Sequence, residues 1–204
     1  MSNATHDKLD AIGDWLGDGS INFFGQPFAG KDNQAKQFGR HFGTPVLGGG
    51  NILRAMILEA EIEAAMHAGE LIDSKYFLRN VVTTLGGLAV AGKPLVLSSV
   101  GRVQGEELPV MDALQALDHP AKLVVNLEID NEEVFMRSER QRKVVRPDDN
   151  PSSLSTRLQE YEDKTVPVLR TYEDLGLLIN IDAHGPKEAV LERIIDTIVE
   201  TRLA

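Results

Sequence analysis

Gly25, Gly30 and Lys31 stand at the spacing G-x-x-x-x-G-K inside the stretch "INFFGQPFAGKDNQAKQF". Residues at that spacing can hold phosphate. Glycines let the chain curl so that successive N–H groups point inward, and a helix starting at the lysine adds the positive end of its dipole. The lysine ammonium supplies a point charge to the outer phosphates. Three positions depart from the pattern that such loops usually show. Phe28 stands where a small residue would leave the backbone freer. Asp32 stands where Ser or Thr is usual, and its carboxylate repels phosphate unless Mg²⁺ lies between them. Asn33 keeps a carbonyl oxygen and two N–H donors for phosphate or metal-bound water. Backbone cradling survives such changes better than hydroxyl-dependent metal binding does.

A second set of charges lies in "RSERQRKVVR", residues 137–146, with five cationic residues in ten against one Glu. In a chain of net charge −10 this cluster points to a local anionic ligand, the alternative being a solvated helix end. The overall charge argues against a general nucleic-acid binder. His6, His41, His67, His119 and His184 show no metal-ligand spacing and read as structural or surface residues. Asp148 and Asp149 read as an ion-pair scaffold for neighbouring arginines more readily than as a carboxylate dyad. Glu59, Glu61 and Glu63 read as a polar helix face.

The elements that must position these groups alternate between strand and helix. "SINFFG", "TPVLGG", "KPLVLSSV", "AKLVVNLEID" and "GLLINIDA" are short apolar runs of strand type. Between them "KDNQAKQFGRHF", "NILRAMILEAEIEAAMHAG" and "DSKYFLRNVVTTLGGLAVAG" read as helices, as do residues 106–117, long segments across 151–172, and "PKEAVLERIIDTIVETRL". Pro186 opens the last of these near its first turn. "HDKLDAIGDWLGDG" can form a short amphipathic helix capping the domain, with Trp15 as packing. The alternation predicts a parallel sheet with helices on both faces.

With 204 residues and 42% apolar content, the chain has material for one compact domain. No stretch is long and apolar enough to span a bilayer, and the polar first residues lack the apolar core of a secretory signal. The absence of cysteine excludes disulfides and thiolate metal sites, and fits a cytoplasmic location.

Read along its length from residue 21, the chain resembles the adenylate kinase family of nucleoside monophosphate kinases. "FFGQPFAGKDNQAKQF" is similar to G-x-P-G-x-G-K-G-T-Q, matching at Gly25, Pro27, Gly30, Lys31 and Gln34; Phe28, Asp32 and Asn33 replace Gly, Gly and Thr. "GTPVLGGGNILRAMI" resembles G-x-P-x-I-S-T-G-D-M-L-R, with Arg54 at the arginine that grips the acceptor monophosphate, Gly49 for Thr and Asn51 for Asp. "GELID" resembles the element whose backbone lines the acceptor base, which implies Gly69, Leu71 and Ile72. "LSSVGRVQGEEL" is similar to L-D-G-F-P-R-T-x-x-Q-A-x-x-L. Arg102 takes the phosphate-binding arginine's place, Ser98 replaces the Asp that helps hold the magnesium waters, and Glu106 replaces the Gln that reads adenine. The longest match, "RPDDNPSSLSTRLQEYEDKTVPVLRTY", aligns Arg146, Asp148, Asp149, Arg157, Tyr161, Thr165, Pro167 and Tyr172.

The resemblance implies a three-layer α/β/α fold of P-loop NTPase type, with a central five-stranded parallel sheet, a small helical acceptor-binding insertion and a short lid. The expected organisation is an extension over residues 1–18 and a kinase domain over 19–204, with the acceptor segment at about 45–80 and the lid at about 137–147. It implies Lys31, Arg102, Arg146 and Arg157 as catalytic cations. Gly25, Pro27, Ala29, Gly30, Lys31, Asp32 and Asn33 would bind ATP, with Arg137 and Arg140 (or Arg142) clamping it. Gly49, Arg54, Gly69, Leu71, Ile72, Arg102, Glu106, Arg146 and Arg157 would bind the acceptor. ATP with Mg²⁺ and a nucleoside monophosphate, most simply AMP, are the expected ligands, with neither zinc, nucleic acid nor membrane involved, in a monomer. A nucleotide-binding protein without turnover, or a kinase for another monophosphate, are the alternatives that Asp32, Asn33, Asn51, Ser98 and Glu106 raise.

Overall fold

The computed structural model describes residues 3–50, 74–86, 92–140 and 151–204. Its centre is a five-stranded, all-parallel sheet in the order β2-β3-β1-β4-β5. The strands are β1 (Ser20–Gly25), β2 (Val46–Gly48), β3 (Leu95–Ser98), β4 (Ala121–Glu128) and β5 (Leu178–Asp182). Every residue of β1 and β3 is buried, as the interior strands of a sheet covered on both faces must be.

Strand residues alternate between two helical layers. On one face Ile21, Phe23, Val96, Leu123, Val125, Leu127, Ile179 and Ile181 pack with α1 (Asn3–Leu16), α2 (Lys31–Phe42) and α8 (Lys187–Ile198). On the other face Leu95 and Leu97 meet α3 (Ser74–Gly86) and α4 (Glu107–Ala116), while Phe24 and Val124 meet α7 (Val166–Asp174). The expected helix in the first residues is α1. Leu9, Ile12 and Leu16, at i, i+3 and i+7, are wholly buried, so this helix is part of the main core. The predicted helix over residues 51–69 lies outside the described residues.

Two elements have features that the sequence pattern does not show. Residues 137–140, where the expected lid segment begins, form the last turn of a helix α5 (Asn131–Arg140). Asp130 starts this helix by accepting the N–H of Glu133 at 2.8 Å. The long helical segment after residue 150 is also interrupted. α6 (Pro151–Glu160) passes into a π-helical turn, Tyr161–Thr165, before α7 resumes. Pro167, at the start of α7, has no N–H to give the preceding turn, and Val166 reaches back five residues to the carbonyl of Tyr161.

From β1 the chain builds β2 and β3 on one side of the sheet and then crosses over to build β4 and β5 on the other. Chain crossings of this kind open a crevice at the carboxyl ends of the strands, where ligands of such sheets bind. The loop after β1 and the turn after β3 both lie at that edge.

Candidate active site

The loop from β1 to α2 takes its shape from three residues with positive φ: Gly25 at 146°, Phe28 at 64° and Gly30 at 96°. A side chain at Gly25 would meet the carbonyl oxygen of Leu127 at 2.6 Å, so strand packing alone requires glycine there. Gly30 is the N-cap of α2, and its carbonyl accepts the N–H groups of Asn33 and Gln34. Lys31 therefore opens the helix, as the spacing predicts. Phe28 adopts a left-handed conformation that costs a non-glycine residue roughly 1–2 kcal/mol. Its ring lies under the guanidinium of Arg157 at 5.8 Å, and its carbonyl accepts from Arg137 at 3.3 Å.

The turn after β3 is drawn to this loop by β1. Buried Asn22 donates to the carbonyl of Val100 at 2.8 Å and accepts from its N–H at 3.4 Å, while Ser99 N–H bonds the carbonyl of Phe23. The carbonyl of Arg102 accepts the hydroxyl of Thr165 at 2.9 Å, which fixes this turn to the π-helical segment. Burial pushes the Tyr161 phenol above the usual tyrosine range, so it stays a donor, here to Asn126 Oδ1 at 3.0 Å.

These constraints bring Gly25, Pro27, Lys31, Ser99, Arg102, Arg157, Glu160, Tyr161 and Thr165 around one cleft. Three cations from three different elements meet there beside a glycine loop. Of the other expected residues, Ala29 is buried in the loop and Asn33 is exposed on α2. Asp32 is half-buried and accepts the hydroxyl of Ser98 at 2.6 Å. Gly49 is buried, and a side chain there would meet the Ser99 carbonyl at 2.5 Å. Arg140 is exposed at the end of α5. Arg137 braces the site. Its guanidinium bonds Glu133 at 2.7 Å, the Ala183 carbonyl at 2.8 Å and the Phe28 carbonyl, joining three segments behind the loop. Asn51, Arg54, Gly69, Leu71, Ile72, Arg142, Arg146, Asp148 and Asp149 lie outside the described residues.

Glu106 is 1% exposed, and its carboxylate accepts the N–H of Val103 at 3.1 Å. Burial pushes its carboxyl up, against the opposing pull of hydrogen bonds from Ser74 and Val103 and the charge of Arg102. The group thus ties the Arg102 turn to the start of α3. Several cleft residues carried no sequence signal. Ser99 enters through a backbone turn with φ of 51°, and Glu160 as the last residue of α6, where it pairs with Lys164 at 2.6 Å. Asn22 looks in the sequence like one more residue of an apolar strand.

Among the described residues, no helix is long and apolar enough to cross a membrane. A family model described as AAA domain matches residues 24–155. An adenylate kinase of Synechococcus sp. (strain CC9311) is 36% identical over 177 residues, covering 84% of this chain and 94% of that protein. One from Parasynechococcus marenigrum (strain WH8102) is 33% identical with the same coverage. One from Xanthomonas euvesicatoria pv. vesicatoria (strain 85-10) is 32% identical over 83% of this chain and 94% of its own length. A glycine loop opening on Lys31, the arginines that meet it, and relatives similar along nearly their whole length agree: the chain belongs to the adenylate kinase family.

Proposed function

We propose that this chain is an ATP-dependent nucleoside monophosphate kinase with AMP as its acceptor, working reversibly. The observation that carries this reading is the meeting of Lys31, Arg102 and Arg157 in one cleft at the mouth of the glycine loop. Phosphoryl transfer asks the protein for little covalent chemistry. It needs donor and acceptor in line and cations around the group that moves.

An acceptor phosphate oxygen attacks the γ-phosphorus of ATP while the bond to the β,γ-bridging oxygen breaks, leaving two diphosphates. Lys31 at the helix start faces the donor phosphates, with the N–H groups of the loop beside it. Arg102 and Arg157 sit where negative charge accumulates, and their planar forks can grip two phosphate oxygens at once. Arg54 and Arg146 complete the acceptor pocket in this reading. Asp32 and Lys31 would flank a Mg²⁺ ion carried in with ATP, whose charge would offset that of the donor phosphates. Asp32 and Ser98 offer oxygen atoms beside the lysine, a donor set that suits the hydration shell of a hard cation.

One observation favours a second reading, a nucleotide-binding protein without turnover: a carboxylate stands directly after the phosphate-binding lysine. A third, another acceptor base, is favoured by buried Glu106 in place of a glutamine. Product analysis separates them. The protein is incubated with ATP, Mg²⁺ and each of AMP, GMP, CMP, UMP and dTMP, beside a Lys31→Ala preparation, and diphosphates are quantified by chromatography. ADP from AMP with the wild type alone supports the proposal. Preferred turnover of another monophosphate shifts the acceptor, and no product above the variant's background, with ATP still bound, favours the second reading.

A further inference from the structure

Asp32 and Ser98 are 66 positions apart in the sequence, yet the serine hydroxyl donates to Asp32 Oδ1 at 2.6 Å. Their chain neighbours Lys31 and Ser99 both line the cleft. Ser98 is the last residue of β3 and is 2% exposed, so its hydroxyl has a fixed origin. Asp32 sits in the first turn of α2, where the helix dipole favours a negative side chain. A carboxylate in that place is costly for a protein binding bare triphosphate, because like charges repel at short range. It becomes favourable when a hydrated divalent cation lies between carboxylate and phosphates.

We propose that Asp32, aimed by Ser98, is the carboxylate through which this protein holds the water shell of the magnesium ion on ATP. The acid has moved from the strand end to the first helical turn, and a hydroxyl has taken the strand position. Asp32 is the group that touches the metal's waters, and Ser98 is a positioning residue. The exchange makes ATP binding depend on magnesium through a residue of the loop itself. Because the carboxylate also opposes metal-free nucleotide, it discriminates between the two forms of ATP in both directions.

The proposal rests on the kinase reading, and a binding experiment separates the two. ATP affinity is measured by calorimetry on the full chain, in excess Mg²⁺ and in excess chelator. Mn²⁺ replaces Mg²⁺ in a parallel spin-resonance measurement with a non-hydrolysable ATP analogue. For the wild type, Mg²⁺ tightens binding. Asp32→Asn, which keeps the side chain's shape, is expected to shrink that tightening about tenfold, the usual scale for a group in a metal's outer shell. Metal-free ATP binds the variant better than the wild type, and the Mn²⁺ spectrum of the ternary complex changes. Ser98→Ala shows a smaller shift of the same kind at unchanged melting temperature. An unchanged Mg²⁺ tightening in Asp32→Asn, with an unchanged Mn²⁺ spectrum, overturns the proposal and leaves Asp32 as a simple repulsive charge. Absence of diphosphate formation by the wild type would sink the kinase reading and leave this ratio measurable. A ratio indifferent to Asp32 in an active enzyme sinks only the proposal.

Discussion

The stretches 157–172 and 25–33 each send residues into the same cleft but keep the family pattern to different degrees. In the first stretch Arg157, Tyr161, Thr165, Pro167 and Tyr172 all match, and most have visible work. Thr165 holds the Arg102 carbonyl, Tyr161 holds Asn126, and Pro167 stands just past the π-helical turn. In the second stretch Phe28, Asp32 and Asn33 all depart. Yet two of these departures have a spatial partner: Phe28 under Arg157, and Asp32 on Ser98. Gly49, a departure elsewhere, faces the Ser99 carbonyl, which occupies the space a side chain would need. A substitution that looks like a loss in isolation becomes half of an exchange when its neighbour is known.

The largest expected effect tests the matching side. Arg157→Ala should lower kcat/KM for diphosphate formation about 10³-fold, the lower end for a cation on a transferring phosphoryl group. Arg157→Lys should recover only part of this, since an ammonium lacks the planar fork. A loss below tenfold in a steady-state assay would remove Arg157 from the transferring group and leave it as a prop for Phe28.

The departing side is sharpened by comparing two variants at one position. In an ordinary loop alanine is more stable than glycine, because it restricts the unfolded chain. At Phe28 the backbone is left-handed, so the order should reverse, with Phe28→Gly more stable than Phe28→Ala by about 1 kcal/mol in urea unfolding. The opposite order would mean that the loop relaxes out of this conformation once the ring has gone.

The smallest effect concerns Glu106. Burial raises its folded-state carboxyl above the unfolded value. Such a group contributes stability that is complete below the unfolded value and is lost as pH rises through the folded one. Glu106→Gln, neutral at every pH, should therefore gain stability relative to wild type as pH rises, on the order of 1 kcal/mol at most. Melting curves between pH 4 and pH 8 check the trend, and a variant that loses stability relative to wild type as pH rises contradicts it.

Much of this was legible in the sequence. The five apolar runs became the five strands, and glycine spacing placed Lys31 at a helix start, because period and turn chemistry act over a few residues. Arg102 and Arg157 could be assigned to the cleft because their surrounding patterns are long. Helix α5 is faint in the sequence although Asp130 and Glu133 have the capping spacing, since Val134 is its one buried residue and an apolar stripe is lacking. Arg137 read as a ligand clamp, while its bonds to Ala183, Phe28 and Glu133 depend on where three remote segments end. Ser98 was legible as a missing acid. That its hydroxyl meets the acid gained at Asp32 depends on the sheet bringing β3 alongside β1, which local pattern does not encode.

The claim that departures act as pairs is tested most directly by a double-mutant cycle on kcat/KM for ADP formation from ATP and AMP. Asp32→Gly and Ser98→Asp are each expected to lose about tenfold or more, one by removing the carboxylate and the other by setting two acids together. Combined, they place the acid on the strand and should return activity to within about threefold of wild type, a strong non-additivity for residues in contact. Losses that simply multiply in the double variant would contradict the account and leave Asp32 and Ser98 as independent departures.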